Sequence, residues 1–209
     1  MSLENVNPTR INLIRTKKTL ILAQEGRDVL ERKRDILLRE LRTSIFEAEK
    51  AREELLEALL KAYQSLKEAN MAKGSETIAN VALGSSFEAN FLVGFKSIMG
   101  VVVPTVEFQS ESDAKPDYGF ENTNAELDRA FKQFYIVLEL IAALAKAEGT
   151  TFQLANDVGR TQRRVNALNH VLIPMYSNMT KKIALVLEEK DREEFVRTKR
   201  IKRMIKERE

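Results

Sequence analysis

The chain has 209 residues, 44% hydrophobic and 31% charged, with thirty-four lysines and arginines nearly matched by thirty-one acids. A net charge of +3 excludes a general nucleic-acid polycation, although a local basic patch remains open, and the absence of cysteine excludes disulfides, thiolate nucleophiles and cysteine-ligated zinc or iron–sulfur centres. Only twelve residues are glycine or proline, while Leu, Ala, Glu, Lys and Arg dominate, which is the profile of long helices.

The opening MSLENVNPTR lacks the apolar run of a signal peptide. The longest charge-free stretch, Val165–Thr180, is too short and too rich in asparagine to span a bilayer. A cytoplasmic protein that meets a membrane only through partners is therefore expected.

From Pro8, at a first-turn position, to about Ala69 the sequence reads as one helix, with only Gly26 lowering its propensity. Leu38, Ile45, Leu59 and Leu66 recur at heptad spacing as one seam row, and Leu41, Ala48, Leu55, Ala62 and Ala69 as the other, a coiled-coil register. Arg52 falls on the first row and marks a local irregularity or a reach towards a partner.

Residues 74–122 form a separate module: nine of these 49 residues are charged, against 56 of the other 160, and five of the eight glycines fall here. SFEANFLVGF and SIMGVVVPTVEF predict a short β-hairpin, with Pro104 tolerable only on an edge strand. SESDAKPDYGFEN predicts turn and loop. Thr123 or Asn124 can then cap a second helix with Glu126 in its first turn, running to about Glu148. Gly149 and Gly159 mark a break or a tight contact. Beyond them Val165, Leu168, Leu172, Met175, Met179 and Val186 make a three-four stripe towards the carboxy terminus.

The expected architecture is mainly α: a long antiparallel two-helix coiled coil formed by segments 1–73 and 123–209, with a small central insertion, 74–122, containing the hairpin. With the termini flush, Pro8 lies beside roughly residue 205 and Glu68 beside about 145, giving a coil of ~90 Å with the insertion at one end. The other end collects RTKRIKRMIKERE, seven basic and two acidic residues, with Arg10, Arg15, Lys17 and Lys18. Lys199, Arg200, Lys202 and Arg203 fall close to Lys17 and Lys18 in this arrangement and would steer an acidic partner.

Catalytic chemistry finds little purchase. None of the eight glycines begins a phosphate-binding G-x-x-x-x-G-K-[ST] run. The single histidine, His170, follows a helical stripe without a nucleophile elbow and reads as structural or an ordinary contact residue. Carboxylate pairs such as Glu53–Glu54, Glu188–Glu189 and Glu193–Glu194 alternate with lysines and arginines as solvated faces. No catalytic residue, cofactor or metal site is expected. Pro174 lacks an N–H and presses on the carbonyl of His170, at a cost of roughly 3 kcal/mol in a regular helix, so it predicts a bend or a fit to supercoil curvature. Arg163 and Arg164 can fork onto carboxylates or helix ends of a partner, or pair with acids of the first helix.

The segment RRVNAL, Arg163–Leu168, resembles a signature of the D subunit of V-type and archaeal A-type ATPases, the central rotor shaft. NPTRINLIRTKKTLILAQEGRDVLERKRDILL, GVVVPTVEF and RRVNALNHVLIPMYSNMTKKIALVLEEKDREEFVRTKRIKR resemble the same family in matching order. Asn169 departs from it, standing where the family often has an acid. The resemblance implies a non-catalytic subunit that transmits torque between ATP synthesis or hydrolysis in a hexamer of catalytic and nucleotide-binding subunits and ion translocation in a membrane ring. It also implies a small F-like partner on the shaft and a funnel-like subunit at the membrane end. Pro8–Leu22 and Phe195–Glu209 would enter the hexamer, and the 74–122 module would lie at the opposite end. A basic-tipped coiled-coil adaptor for nucleic acid is the alternative, carried by the terminal Lys/Arg cluster alone.

Overall fold

The computed structural model describes residues 7–85, 89–109, 118 and 124–206. The expected loop 110–122, apart from Tyr118, and the candidate cap Thr123 lie outside them. The elements are α1 (Arg10–Lys73), α2 (Ser75–Leu83), β1 (Phe91–Ile98), β2 (Val101–Phe108), α3 (Ala125–Ala167), a π-helical turn (Leu168–Leu172) and α4 (Ile173–Lys206). Two compact units divide the chain, Met1–Asp35 with Gly159–Glu209, and Ile36–Val158. In each, an N-terminal stretch of helix pairs antiparallel with a C-terminal one.

Thr9, not Pro8, begins α1. Its hydroxyl accepts from the Asn12 N–H at 3.2 Å and its carbonyl from the Leu13 N–H at 3.0 Å, so it fills the capping position and leaves Pro8 outside. The helix runs four residues past the expected Ala69 and stops at Gly74, whose φ of 83° with ψ of 145° is a backbone conformation that glycine adopts readily and other residues do not. A helix not foreseen from the sequence, α2, follows at once, turning the half-buried Thr77, Ile78 and Val81 to one side. At the start of α3, the Asn124 carbonyl receives the Leu127 and Asp128 N–H groups, and its side-chain amide donates to Glu126.

In the unit Ile36–Val158 the fully buried residues of α1 are Leu37, Ser44, Ala62 and Ala69. The row through Leu41, Ala48, Leu55, Ala62 and Ala69 holds. The other row runs one residue earlier than expected, through Leu37 and Ser44, leaving Ile45 40% exposed and Arg52 at the rim. The seam mixes small and large side chains, and Ala130, Val137, Ala142 and Leu154 are its buried residues on α3. One buried polar pair crosses it: Thr151 commits its proton to the Ala147 carbonyl at 2.9 Å, so Ser44 donates to Thr151 at 2.8 Å.

The helices are not flush at the termini. Arg52 meets Glu148 and Tyr63 meets Phe134 in this unit, while Arg10 meets Asp191 and Glu31 meets Asn169 in the other. The expected partners, residue 205 for Pro8 and 145 for Glu68, are thus about a dozen places out. The reason lies at the ends near the insertion: Ala69 and Ala130 are both buried there, so pairing starts with the first turns of α3 and the surplus length falls at the carboxy end.

Neither Gly149 nor Gly159 breaks α3, which passes through both. Gly149 is a tight contact instead, because a Cβ there would come within 2.8 Å of the Pro104 ring. The hairpin therefore lies along this unit and not at its end. Phe108 packs on Tyr135, while Val101 and Val103 join Leu37 and Leu154 in one core cluster with Ile98 and Val158 against it. The hairpin turn is the two residues Met99 and Gly100, with φ of 51° and 81°, the paired positive values of a type I′ turn. The Gln109 N–H bonds to the Asn90 carbonyl at 2.9 Å, so by antiparallel alternation the pairs from Leu92↔Glu107 to Ile98↔Val101 are hydrogen-bonded and Phe95↔Pro104 is not. Pro104 thus has no N–H to lose from the ladder.

In the unit Met1–Asp35 with Gly159–Glu209, heptad steps from the buried Thr161 lead to Leu168, Met175 and Lys182; yet Lys182 is exposed and Ile183 is 4% exposed. The π turn accounts for the shift. The Ile173 N–H reaches back five residues to the Leu168 carbonyl, adding one residue to the turn immediately before Pro174. The ladder opens where proline has no donor to offer, and the added residue carries Lys182 out and Ile183 in.

Leu37→Ala should cost about 2–5 kcal/mol and Ile45→Ala well under half of that, read as melting temperature. Deleting exposed Val171 together with Pro174→Ala should close the π turn yet preserve cooperative melting. Deleting Leu144 from regular α3 should rotate the seam out of phase and abolish it.

Candidate functional site

Beyond Asp191, the level at which α1 begins, α4 continues from Arg192 to Lys206, about fifteen residues and ~22 Å at 1.5 Å rise per residue. Every residue of this stretch is exposed, including Phe195, Val196, Ile201, Met204 and Ile205. Lys199, Arg200, Lys202 and Arg203 lie on it. An intrahelical ion pair, Arg197 with Glu193 at 3.7 Å, sits near its base. The result is a single helical end that is both cationic and apolar.

Lys17 and Lys18 do not join it. Thr16 and Ile183 are the buried residues at their level, so the two lysines stand beside the region of Lys181 and Lys182, roughly fifteen residues and ~22 Å short of Lys199. The acids Glu188, Glu189, Asp191, Glu193 and Glu194 occupy the interval. The expected single basic tip is thus two basic zones separated by an interval in which these five acids stand among Lys190, Arg192 and Arg197, a consequence of the shifted register.

Arg163 and Arg164 are exposed at the end of α3, and neither forms an ion pair with another described residue. The cross-helix contacts near them are made by neighbours: Arg34 donates to Gln162 at 3.2 Å and Asn169 to Glu31 at 3.3 Å. Asn169 thereby explains its departure from the resembled pattern, since an acid here would face Glu31 without a proton to give. His170 is exposed within the π turn.

The sequence marks Arg52 without naming its partner, and it does not mark Tyr118. Arg52, the residue that interrupts the expected seam row, reaches across to Glu148 at 2.7 Å over a hollow of about 510 Å³ walled by Ile45, Ala48 and Phe152. Its signal is the charge on a heptad row, but the buried row lies one residue away. Tyr118 packs on α3, donating to Asp128 at 2.6 Å and meeting Phe131 edge-to-face at 6.0 Å between ring centroids. Burial, then the hydrogen bond to Asp128 and that group's charge, push its phenol well above the usual range. A lone tyrosine in a loop gives no sequence signal for this.

Among the described residues no group of three or more His, Cys, Asp or Glu is placed to hold a metal ion, and no helix is long and apolar enough to cross a membrane. Antiparallel helix pairs, with a side-laid β-ribbon in one unit and an exposed cationic and apolar helix end in the other, define a mainly helical protein. Similarity to known proteins specifies which one: the chain belongs to the family of ATP synthase D subunits, matched over residues 12–203. It is 42% identical to the D subunit of the V-type ATP synthase of Thermotoga neapolitana over 96% of this chain and 98% of that one. It is 38% identical to the D subunit of the A-type ATP synthase of Methanopyrus kandleri, over 97% and 88%, and 36% identical to that of Thermococcus kodakarensis, over 98% and 96%.

Tyr118→Phe should lower stability by up to about 1 kcal/mol at neutral pH. Because the folded-state pKa is raised, this contribution is present below the free tyrosine value of about 10 and is lost as pH rises beyond it. Melting curves of the two proteins should accordingly converge above about pH 10.

Proposed function

We propose that this chain is the non-catalytic rotor subunit of the central stalk in a V/A-type ATP synthase or ATPase, carrying torque between nucleotide chemistry in the hexamer and ion translocation in the membrane ring. The observation that carries the reading is the α4 end from Arg192 to Lys206, a helix with cationic and apolar side chains exposed all round. Such an end suits insertion into a sleeve formed by the catalytic and nucleotide-binding subunits. Unbroken α1, 64 residues long, supports the mechanical part, because a continuous hydrogen-bonded helix resists torsion better than jointed pieces.

The remaining assignments follow the family. Arg163 and Arg164, without an ion-pair partner among the described residues, contact a partner subunit. Pro174 and its π turn set a bend that presents different side faces to neighbours. A small F-like subunit binds the coil, and the corner at Gly74 with α2 docks the funnel-like subunit on the ring. The chain is cytoplasmic and peripheral to the membrane through this complex. The hairpin, lying along the coil, modulates the activity of the hexamer without giving it a catalytic group.

Replacing Lys199, Arg200, Lys202 and Arg203 by glutamine should slow capture by the ATPase hexamer about tenfold at low salt, with the difference narrowing as ionic strength rises. Binding of the F-like subunit should be unchanged. Unaltered hexamer capture, together with salt-steep nucleic-acid binding by the parent chain, would overturn the rotor assignment of this end.

A further inference from the structure

We propose that the outer edge of β1 is a docking edge that takes an extended, acid-bearing strand of another subunit by β-sheet extension. The ribbon has two unequal sides. β2 is packed on the helices, with Val101 and Val103 buried and Pro104 against Gly149. β1 faces away: Val93 is 61% and Phe95 75% exposed, and Leu92 is exposed beside them. Among the described residues the sheet has only these two strands.

The ladder fixes which main-chain groups point outward. Leu92, Gly94, Lys96 and Ile98 belong to the hydrogen-bonded pairs and turn their N–H and C=O groups towards β2. Phe91, Val93, Phe95 and Ser97 belong to the alternate pairs and turn theirs away. They form a row of four donors and four acceptors at strand spacing, and only an extended polypeptide matches such a row. Edge strands are ordinarily blunted by proline, a bulge, charged side chains or a covering element. β1 has no proline, pairs without a bulge over all eight residues, and carries one charge, Lys96. The proline lies on the opposite strand, where Pro104 leaves both the ladder and the outer edge intact. Lys96 is unmatched by any acid within β1, so an acidic strand complements this edge and a second β1 does not.

The proposal rests on the chain's entering the ATP synthase complex. Hydrogen exchange should be followed at individual amides in the isolated chain and in the complex reconstituted with the hexamer, the F-like subunit and the funnel-like subunit. Leu92, Gly94 and Lys96 should be protected in both. Phe91, Val93, Phe95 and Ser97 should exchange freely in the isolated chain and slow about tenfold or more on assembly.

Val93→Pro removes one outward N–H at a position that gives nothing to β2. It should weaken retention of the strand-giving subunit about tenfold while Gly94 and Lys96 stay protected in the isolated variant. Lys96→Glu should weaken retention through charge with every outward amide in place. A chain that does not assemble would take down the rotor reading and this proposal with it. An assembled chain whose four outward amides still exchange freely overturns this proposal alone. Protection of those amides in a concentration-dependent dimer of the isolated chain would place a second copy on the edge and also overturn it.

Discussion

The close approach of helices across a seam of small side chains is the constraint on which the rest of this structure depends. Small residues make up much of the seam in the unit Ile36–Val158, Ser44, Ala62 and Ala69 on α1 and Ala130 and Ala142 on α3, with Leu37, Val137 and Leu154 as its larger buried members. Bulky residues are displaced to its flanks, which is why Ile45, Phe46, Leu56 and Leu60 are so exposed. A thin seam also makes registry strict, because an alanine meets a partner of one size only. The Ser44–Thr151 bond adds a polar lock: slipping either helix would take the buried Ser44 hydroxyl away from its cross-helix partner.

The same economy of volume places the hairpin. A ribbon can lie along α3 only where the helix offers no side chain, and Gly149 provides that gap to Pro104. Gly94 provides another within the ribbon, where a Cβ would meet the Thr105 hydroxyl at 2.7 Å. Once β2 is seated on Leu37 and Leu154, β1 is necessarily the strand that faces outward, so an edge suited to sheet extension is a by-product of how the helices pack.

Much of this is legible in the sequence because helix and hairpin signals are local. The row Leu41–Ala48–Leu55–Ala62–Ala69, both strands and the terminal charge cluster can be read directly. What escapes is relational. The row through Leu38 and Ile45 draws the eye because it is more hydrophobic than the row through Leu37 and Ser44, yet a close-packed seam selects size over hydrophobicity. Registry between distant helices has no local signal, so flush termini are the simplest expectation, and they put Lys17 and Lys18 too near Lys199. Pro174 announces a disturbance, but its form, one added residue that exchanges Lys182 for Ile183, shows only when burial on both sides of the turn is compared. RRVNAL is informative as a pattern, although its arginines touch no acid among the described residues.

The bare end of α4 has a thermodynamic consequence of its own. Some fifteen residues of exposed helix, on which no other described element packs, lie at the length where isolated helices are marginal in water, helped here mainly by cations near the C-terminus that suit the helix dipole. Its helical turns are cheap to lose and regain. Seating this end in a sleeve would therefore be partly a folding reaction, with a negative heat-capacity change from burying Phe195, Ile201, Met204 and Ile205 and an ordering cost deducted from the gross contact energy. An end anchored in this way is held specifically yet not excessively tightly, which would suit the rotor role proposed above.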